Sequence, residues 1–225
     1  MIKGILLDID NTLYDYNRTH AKALNAVYEY CRVNLLVSTD NMINAYAKAR
    51  KQVHIELSET ASSHNRLLYF QKMCEIIGIN PMPNAFNIYN IYWDTFLDSI
   101  EIFDGVYEFL KKYKNNICFV TDLTAHIQYR KIEKMGLEKY VDKIVTSEEI
   151  GKEKPHPYMF ISALNKLDMN KNEVVMIGDS FKKDIFGAVN LDIKSIWLNR
   201  KENKEDFDST LIHEVKKFKD IIGLV

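Results

Sequence analysis

Two aspartates close a short apolar run near the start of the chain, and their spacing suits them to hold a metal cation. The run Ile5–Leu7 fits one strand buried on both faces of a parallel sheet, which places Asp8 and Asp10 at its carboxyl end. Ligands of open α/β sheets bind at that edge. Carboxylates are the ligands that Mg²⁺ takes beside a substrate phosphate, and the alternative is a turn, with Thr12, that caps the strand.

Two later apolar runs also lead into polar residues, Thr121 with Asp122 and Gly178 with Asp179. Asp184 follows Asp179 by five residues, and we expect it to face the same pocket from the next helix. A single strand-terminal aspartate or threonine is typical of a helix N-cap. Carboxylates gathered at one edge, however, repel each other unless a cation lies among them.

A lysine is predicted to complete this edge. Lys154 precedes Pro155, and two prolines flank His156, so the chain leaves Lys154 in a restricted direction. Opposite an aspartate cluster, a lysine can keep a carboxylate ionised and bind phosphate oxygens as a point charge. The alternative is a solvated lysine in a loop.

The elements that must position these residues follow from hydrophobic periodicity. Helices are predicted at residues 19–30, 40–57, 64–77, 85–97, 105–113, 126–135, 157–167 and 183–189. Gly78 is a plausible helix end, and Pro81 and Pro83 bar its continuation. Strands are predicted at residues 5–7, 117–120, 143–146, 174–177 and 195–198, the last of these being the final strand.

Strands that alternate with helices predict an α/β fold, a Rossmann-like core whose parallel sheet is flanked by helices and joined by right-handed crossovers. The first strand belongs with the later ones. We therefore expect residues 1–14 and 99–225 to form the core, and residues 15–98 to form an inserted helical bundle.

Composition narrows the function classes. The chain has 225 residues, with 30 Lys and Arg against 31 Asp and Glu, so no overall field favours nucleic acid or an anionic membrane. Three scattered cysteines argue against a disulfide framework and structural zinc. Without a secretory signal or an apolar run of membrane-spanning length, a cytoplasmic protein is expected.

The four motifs together resemble the haloacid dehalogenase-like superfamily of hydrolases. Asp8-Ile9-Asp10-Asn11-Thr12 looks like its first motif, Thr121 its second, Lys154 its third, and Gly178-Asp179 with Asp184 its fourth, in the family's order from Ile2 to about Leu198. The helical insertion is similar to the family's C1-type cap. Asp122 departs from the more usual Asn, and Ile102-Phe103-Asp104-Gly105 lacks a frequent proline.

The resemblance implies a Mg²⁺-dependent phosphatase acting on a small phosphate monoester. Asp8 would be the nucleophile that forms an aspartyl-phosphate, and Asp10 the acid and base. Asp8, the Asp10 backbone carbonyl and Asp179 would hold Mg²⁺, with Asp184 in the outer shell. The residues that bind the phosphate would be Thr121, Asp122 and Lys154, of which Thr121 and Lys154 also belong to the catalytic set.

Several alternatives stay open at this point. A phosphomutase and a 2-haloacid dehalogenase use the same fold, although dehalogenases of the family lack the second aspartate. A non-enzymatic regulatory module would be favoured by loss of a motif residue, and none is lost. Sugar phosphates, phosphoglycolate and nucleoside monophosphates all remain candidate substrates, and the protein could be a monomer or a homodimer. Polar residues of the insertion could contact the leaving group, although such residues usually form solvated helix faces: Arg18, His20, Lys48, Arg50, His54, His64 and Arg66.

Overall fold

The computed structural model describes residues 2–225, and their strands form one six-stranded parallel sheet. The strands are β1 (Gly4–Leu7), β2 (Ile117–Thr121), β3 (Lys143–Thr146), β4 (Val174–Gly178), β5 (Lys194–Leu198) and β6 (Ile212–Val215). Their order in the sheet is β3-β2-β1-β4-β5-β6, and every neighbouring pair is parallel. The predicted α/β fold is confirmed.

Strand order reverses beside β1, which pairs with β2 on one side and with β4 on the other. Such a switch point leaves a crevice at the carboxyl ends of the strands, because the connections depart to opposite faces of the sheet. The three strands that precede the predicted site residues are therefore the neighbours that meet at this crevice. All residues of β1, β2 and β4 are buried, as their apolar runs require.

Strand β6 corrects the prediction that β5 is the last strand. It pairs with β5 at the edge of the sheet, with Ile212 and Val215 buried and with His213 and Glu214 exposed. Two apolar residues separated by two polar ones do not alternate with a period of two, so the usual strand signal is absent. This segment is a strand because it pairs with β5, a contact that the local sequence does not reveal.

The chain divides into two compact units. We call them the sheet unit, which comprises the residues up to Asp15 and Glu101–Val225, and the helical unit, Tyr16–Ile100. The helical unit contains α1 (Tyr16–Asn34), α2 (Thr39–Glu56), a 3₁₀ turn (Ala61–His64), α3 (Arg66–Ile76) and α4 (Pro81–Asp98).

Local capping sets the starts of three of these helices. The side chains of Ser38, Asn65 and Asn80 accept hydrogen bonds from backbone N–H groups in the first turns of α2, α3 and α4. Pro81 opens α4, where its fixed φ suits the first helical position. The prolines that were expected to separate two helices thus lie inside the start of the second.

The sheet unit adds α5 (Val106–Lys112), α6 (Ala125–Lys134), α7 (Ser147–Ile150), α8 (Pro157–Leu167) and α9 (Phe186–Val189). A π-helical turn, Phe181–Ile185, precedes α9, and a 3₁₀ segment, Phe218–Gly223, lies near the end of the chain. Across the described residues, no helix is both long enough and apolar enough to cross a membrane.

Gly105, at the start of α5, is required by both its backbone conformation and its surroundings. Its φ is 86°, and a Cβ there would lie 2.9 Å from Lys219 Cα, a backbone atom that cannot move aside cheaply. Gly136 has a comparable φ of 62°, but its Cβ would meet only Lys139 Nζ, at 4.0 Å. A side chain at Gly136 would therefore meet conformational strain alone, whereas one at Gly105 would meet both strain and steric overlap.

We expect Gly105→Ala to lower the free energy of unfolding by about 2–5 kcal/mol, because the strain of a positive φ adds to overpacking. The matched variant Gly136→Ala should lose only about 1 kcal/mol, since it has strain alone. Urea unfolding of the two variants beside the wild type measures the difference. Equal losses would contradict the role assigned to the Lys219 contact.

Candidate active site

Both carboxylate oxygens of Asp8 are held in place directly after β1. Lys154 Nζ donates to Oδ1 at 2.6 Å, and Thr12 Oγ1 donates to Oδ2 at 2.8 Å. The backbone N–H of Asp8 donates to Ile177 O at 3.0 Å, which continues the β1–β4 ladder one residue beyond β1. Asp8 is buried, so these contacts define a single orientation for its carboxylate.

Lys154 links the ends of three elements through its ammonium group. Besides Asp8, Nζ donates to Val120 O of β2 at 2.9 Å and forms an ion pair with Asp184 Oδ1 of the π-helical turn at 2.6 Å. Burial alone would lower the pKa of Lys154, but the charges of Asp184 and Asp8 raise it well above its usual value. The buried lysine is therefore charged.

Three carboxylates gather around this ammonium. Oxygen atoms of Asp8, Asp179 and Asp184 all lie within 4.8 Å of one another. Burial is the main cause that raises the pKa of Asp8, and the charges of Asp184 and Asp179 raise it further, against the effect of Lys154. Burial and the charge of Asp184 raise the pKa of Asp179 to about 7. The carboxylates are crowded beyond what one lysine neutralises.

The turn after β4 allows this crowding because residue 178 is glycine. A Cβ on Gly178 would lie 2.4 Å from Asp184 Oδ2, inside the space that the carboxylate occupies. The same oxygen accepts a hydrogen bond from Ser180 N at 3.0 Å, which fixes Asp184 under the strand end. The glycine, the serine N–H and Lys154 together position Asp184.

The donor set fits a small hard cation. Mg²⁺ prefers carboxylate oxygens, and buried like charges at this separation are stabilised by a divalent ion. Asp8 and Asp179 offer carboxylate oxygens at the strand ends, whereas Asp184 is held by Ser180 and Lys154. This arrangement can hold Mg²⁺ through Asp8 and Asp179 with Asp184 behind them.

Asp10 has a separate cation of its own. Lys131 Nζ, on α6 and fully buried, lies 2.8 Å from both Asp10 carboxylate oxygens. The Tyr14 hydroxyl donates to Oδ1, and Gln128 Nε2 donates to Oδ2 at 3.2 Å. Burial alone would raise the pKa of Asp10, but the charge and hydrogen bonds of Lys131, with those of Tyr14 and Gln128, lower it. In this arrangement Asp10 is ionised.

Thr121 lies next to Asp10 through a shared donor. Gln128 Nε2 also donates to Thr121 Oγ1 at 2.6 Å and to Asp122 O at 2.8 Å. The Thr121 hydroxyl donates to Asp122 O at 3.2 Å, a long bond that an anionic oxygen could replace. Gln128 thus holds the end of β2 and Asp10 in one network.

The Asp122 side chain, which belongs to the predicted phosphate-binding set, is held by two contacts within the protein. Its Oδ1 accepts the backbone N–H of Lys154 at 2.9 Å, and its Oδ2 pairs with Lys183 Nζ at 2.8 Å. Lys183 also lies 3.1 Å from Glu153 Oε2. An ionised carboxylate has no proton to donate to a phosphate, so this side chain positions the Lys154 backbone, and a role for Asp122 in phosphate binding stays a prediction.

Two backbone N–H groups of the turn after Asp122 also have partners within the protein. Leu123 N donates to Ser147 Oγ at 3.0 Å, and Ala125 N donates to Glu148 Oε2 at 2.7 Å. Residues of α7 therefore satisfy these donors. Phosphate binding by Thr121, Asp122 and Lys154 stays a prediction, for which the Thr121 hydroxyl and the Lys154 ammonium offer donors.

Arg200, which follows β5, is an additional cation at the same edge of the sheet. Its Nη2 donates to Asn11 O, and its guanidinium carbon lies 4.1 Å from the centre of the Phe103 ring. Burial lowers the pKa of Arg200, although the charges of Asp179 and Asp15 act in the opposite direction. Arg200 thus adds positive charge beside the first motif.

Sequence reasoning missed Lys131, Gln128, Lys183 and Arg200. Gln128 and Lys131 are three residues apart on α6, so they share a face, and this spacing was the available signal. It could not reveal that the shared face meets Asp10, because that contact joins residues 121 positions apart. Lys183 and Arg200 carried no distinguishing pattern.

Comparison with known proteins assigns the family. A family model described as haloacid dehalogenase-like hydrolase matches residues 5–198. The chain therefore belongs to the haloacid dehalogenase-like hydrolase family, and the resemblance drawn from its motifs is confirmed. Assignment to the C1-capped branch stays a prediction.

Two curated relatives are phosphatases. The chain is 32% identical over 214 residues to ribulose-1,5-bisphosphate 5-phosphatase of Halopiger xanaduensis. The matched stretch covers 93% of this chain and 90% of that protein. It is 31% identical over 193 residues to glyceraldehyde 3-phosphate phosphatase of Methanopyrus kandleri, covering 84% of this chain and 80% of that protein. The predicted enzyme class, a phosphatase, is confirmed.

A solved structure shows the same fold. The 2-haloacid dehalogenase of Pseudomonas syringae pv. Tomato DC3000 superposes with a TM-score of 0.75 at 20% identity, covering 98% of this chain and 96% of that one. At this identity the likeness concerns the fold alone.

Replacing Lys154 should expose the charge crowding as a loss of stability. We expect Lys154→Met to lower the free energy of unfolding by about 3–5 kcal/mol at neutral pH, because it leaves buried carboxylates without their cation. The control Lys171→Met removes an exposed ion pair with Asp192 and should change stability by no more than about 1 kcal/mol. Urea unfolding measures both variants. A Lys154→Met loss no larger than that of the control would count against the buried pairing.

Proposed function

We propose that the chain is a Mg²⁺-dependent phosphomonoester hydrolase that acts on a small phosphorylated metabolite through an aspartyl-phosphate on Asp8. The observation that carries this proposal is the buried ammonium of Lys154, 2.6 Å from Asp8 Oδ1 and 2.6 Å from Asp184 Oδ1. This ammonium favours the ionised nucleophile and supplies positive charge where an anionic phosphoryl group would arrive.

Asp8 has the geometry that an attacking carboxylate needs. Thr12 and Lys154 each hold one of its oxygens, so attack requires no reorientation of the side chain about the strand end. The carboxylate would form a bond to phosphorus while the bond to the leaving oxygen breaks, which splits one difficult displacement into two easier steps. Water would then release the phosphate and regenerate Asp8.

Mg²⁺ would be held by the Asp8 carboxylate, the Asp10 backbone carbonyl and Asp179, with Asp184 in the outer shell. The chemistry that Mg²⁺ supplies when bound is neutralisation of charge between these carboxylates and the phosphoryl oxygens. The raised pKa values of Asp8 and Asp179 support this proposal, because burial, their main cause, and the charges of neighbouring carboxylates both disfavour the ionised forms that a divalent ion would stabilise.

Asp10 would serve as the acid for the leaving oxygen and then as the base for the attacking water. Its ionised state beside Lys131 suits the base step directly. The acid step needs a protonated Asp10, so the carboxylate would first take up a proton from solvent and then exchange the Lys131 contact for the leaving oxygen. Between the acid step and the base step, Asp10 would be held by Lys131, Tyr14 and Gln128.

Thr121 and Lys154 would bind the transferred phosphoryl group. The Thr121 hydroxyl can exchange its 3.2 Å bond to Asp122 O for a phosphate oxygen, and the Lys154 ammonium already lies beside the nucleophile. Asp122 belongs to the same predicted set, and its side chain accepts the backbone N–H of Lys154.

The relatives support a sugar phosphate as the substrate. Both curated phosphatases reported above are named for phosphorylated sugars, and the share of each chain that is matched spans most of its length. Phosphoglycolate and nucleoside monophosphates are also small phosphate monoesters, and they remain candidate substrates. We favour hydrolysis over phosphomutase and dehalogenase activity, because the relatives are phosphatases and Asp10 is present.

The nucleophile can be tested by an isosteric change. We expect Asp8→Asn to reduce phosphate release by at least about 10⁴-fold over a panel of sugar phosphates, since the amide cannot form the acyl-phosphate. Asp142→Asn, at an exposed residue paired with Lys143, is the matched control and should keep wild-type activity. Removing Mg²⁺ by chelation should abolish the wild-type rate, and adding it back should restore the rate. Activity that survives either the substitution or chelation would refute the proposal.

The acid role of Asp10 predicts a dependence on the leaving group. Asp10→Asn should slow hydrolysis of an alkyl phosphate by about 10²–10⁴-fold, because a poor leaving group needs the proton. Hydrolysis of p-nitrophenyl phosphate, whose leaving group needs little protonation, should slow much less in the first chemical step. Burst kinetics separate that step from release of phosphate. An equal loss for both esters would argue against Asp10 as the leaving-group acid.

A further inference from the structure

The helical unit buries a guanidinium group among neutral oxygens. Arg66, the first residue of α3, is 6% exposed. Its Nη1 donates to His64 O at 2.8 Å, its Nε to Tyr92 OH at 3.4 Å, and its Nη2 to Tyr16 OH. In the part of the chain that the structure describes, Arg66 has no carboxylate partner, and its guanidinium carbon lies 4.9 Å from the centre of the Tyr69 ring and 5.7 Å from that of the Tyr92 ring. Buried arginines are normally paired, so the missing negative charge calls for an explanation.

Unused hydrogen-bond donors accompany this charge. A guanidinium has five N–H donors, and the three contacts above leave two of them for another acceptor. Tyr46, which is 5% exposed, has a buried hydroxyl without a hydrogen-bond partner among the described residues. Burial raises the pKa of Tyr46, so its hydroxyl keeps its proton and can donate. Buried polar groups in native proteins rarely lack a partner, which points to an acceptor from outside the chain.

The field around Arg66 is positive. Burial and the charges of Arg66 and Arg50 lower the pKa of His20 to about 3, so this imidazole is neutral. His20 Nδ1 lies 2.6 Å from Tyr92 OH, and the His20 ring stacks on Tyr16 with centroids 5.5 Å apart. Arg50 is exposed, whereas Tyr16 and His20 are only half-buried. The cluster can therefore be reached from solvent.

We propose that Arg66, Arg50, Tyr16, His20 and Tyr46, here called the arginine cluster, bind a phosphate or carboxylate group of a small ligand. The planar guanidinium matches the two oxygens of either anion, and the Tyr46 hydroxyl supplies a further donor. The start of α3 adds the positive end of a helix dipole at Arg66 itself. A bound anion would thus neutralise the buried charge and satisfy the unpaired donors together.

The nature of the ligand rests on the proposed function. If the chain hydrolyses a phosphate monoester, the arginine cluster selects substrates that carry a second anionic group, either another phosphate or a carboxylate. The relative from Halopiger xanaduensis is named for a bisphosphate, which agrees with this substrate class.

Two matched pairs of esters test the selection. Glycerol 3-phosphate and 3-phosphoglycerate differ by a carboxylate, and ribulose 5-phosphate and ribulose 1,5-bisphosphate differ by a phosphate. We expect the wild type to prefer the ester with the extra anion, in at least one pair, by about 10- to 100-fold in kcat/KM. Arg66→Gln should reduce that ratio to near one, and Tyr46→Phe should reduce it several-fold. Arg32→Gln, which removes an exposed arginine paired with Glu29, should preserve the ratio.

Binding without turnover separates this inference from the proposed function. In the Asp8→Asn chain, 3-phosphoglycerate or ribulose 1,5-bisphosphate should shift the NMR signals of the His20 ring and raise its pKa from about 3, because the anion offsets Arg66. The double variant Asp8→Asn with Tyr46→Phe should bind more weakly. If no ester is hydrolysed while His20 responds, the anion site stands and the proposed function fails. The anion site is refuted if neither ligand shifts the His20 signals and if Arg66→Gln leaves the kcat/KM ratio of each pair unchanged.

Discussion

The ammonium of Lys154 is the interaction on which the sheet edge depends. It contacts Asp8 after β1, the carbonyl of Val120 in β2, and Asp184 in the turn after β4. These contacts come from three strands that are neighbours only because the strand order reverses beside β1. Topology therefore brings the carboxylates together, and one buried cation makes their proximity tolerable. The absence of a Cβ at residue 178 leaves room for that arrangement.

The two units show opposite imbalances of charge. In the sheet unit, the carboxylates of Asp8, Asp179 and Asp184 outnumber the nearby ammonium, whereas in the helical unit the guanidinium of Arg66 lies among neutral hydroxyls. Neither arrangement maximises the stability of the free protein, because a buried charge without full compensation raises its free energy. Under the two proposals above, a ligand of the opposite charge would offset each imbalance. Such local costs are typical of sites that are built to bind rather than to stabilise the fold.

The sequence predicts the sheet and its acidic edge well, because Asp8, Thr121 and Asp179 each end an apolar run that is recognisable locally. It fails where the decisive contact is nonlocal. Strand β6 exists through its pairing with β5, and the role of Lys131 depends on which face of α6 meets Asp10. The burial of Arg66 was equally hidden, since a polar residue at a helix start usually faces solvent. Local sequence patterns thus predict the helices and strands, whereas the contact partners of a side chain depend on how distant segments pack together.

The ion pair between Asp122 and Lys183 makes the effect of replacing either residue depend on the other. Asparagine at 122 would leave Lys183 with Glu153 alone, and a neutral residue at 183 would leave the Asp122 carboxylate without a cation beside the Lys154 backbone. Either single exchange therefore disturbs the segment that carries Lys154, whereas a joint exchange preserves charge balance. The second motif therefore cannot be interpreted apart from the fourth, because the charges of Asp122 and Lys183 offset each other beside the Lys154 backbone.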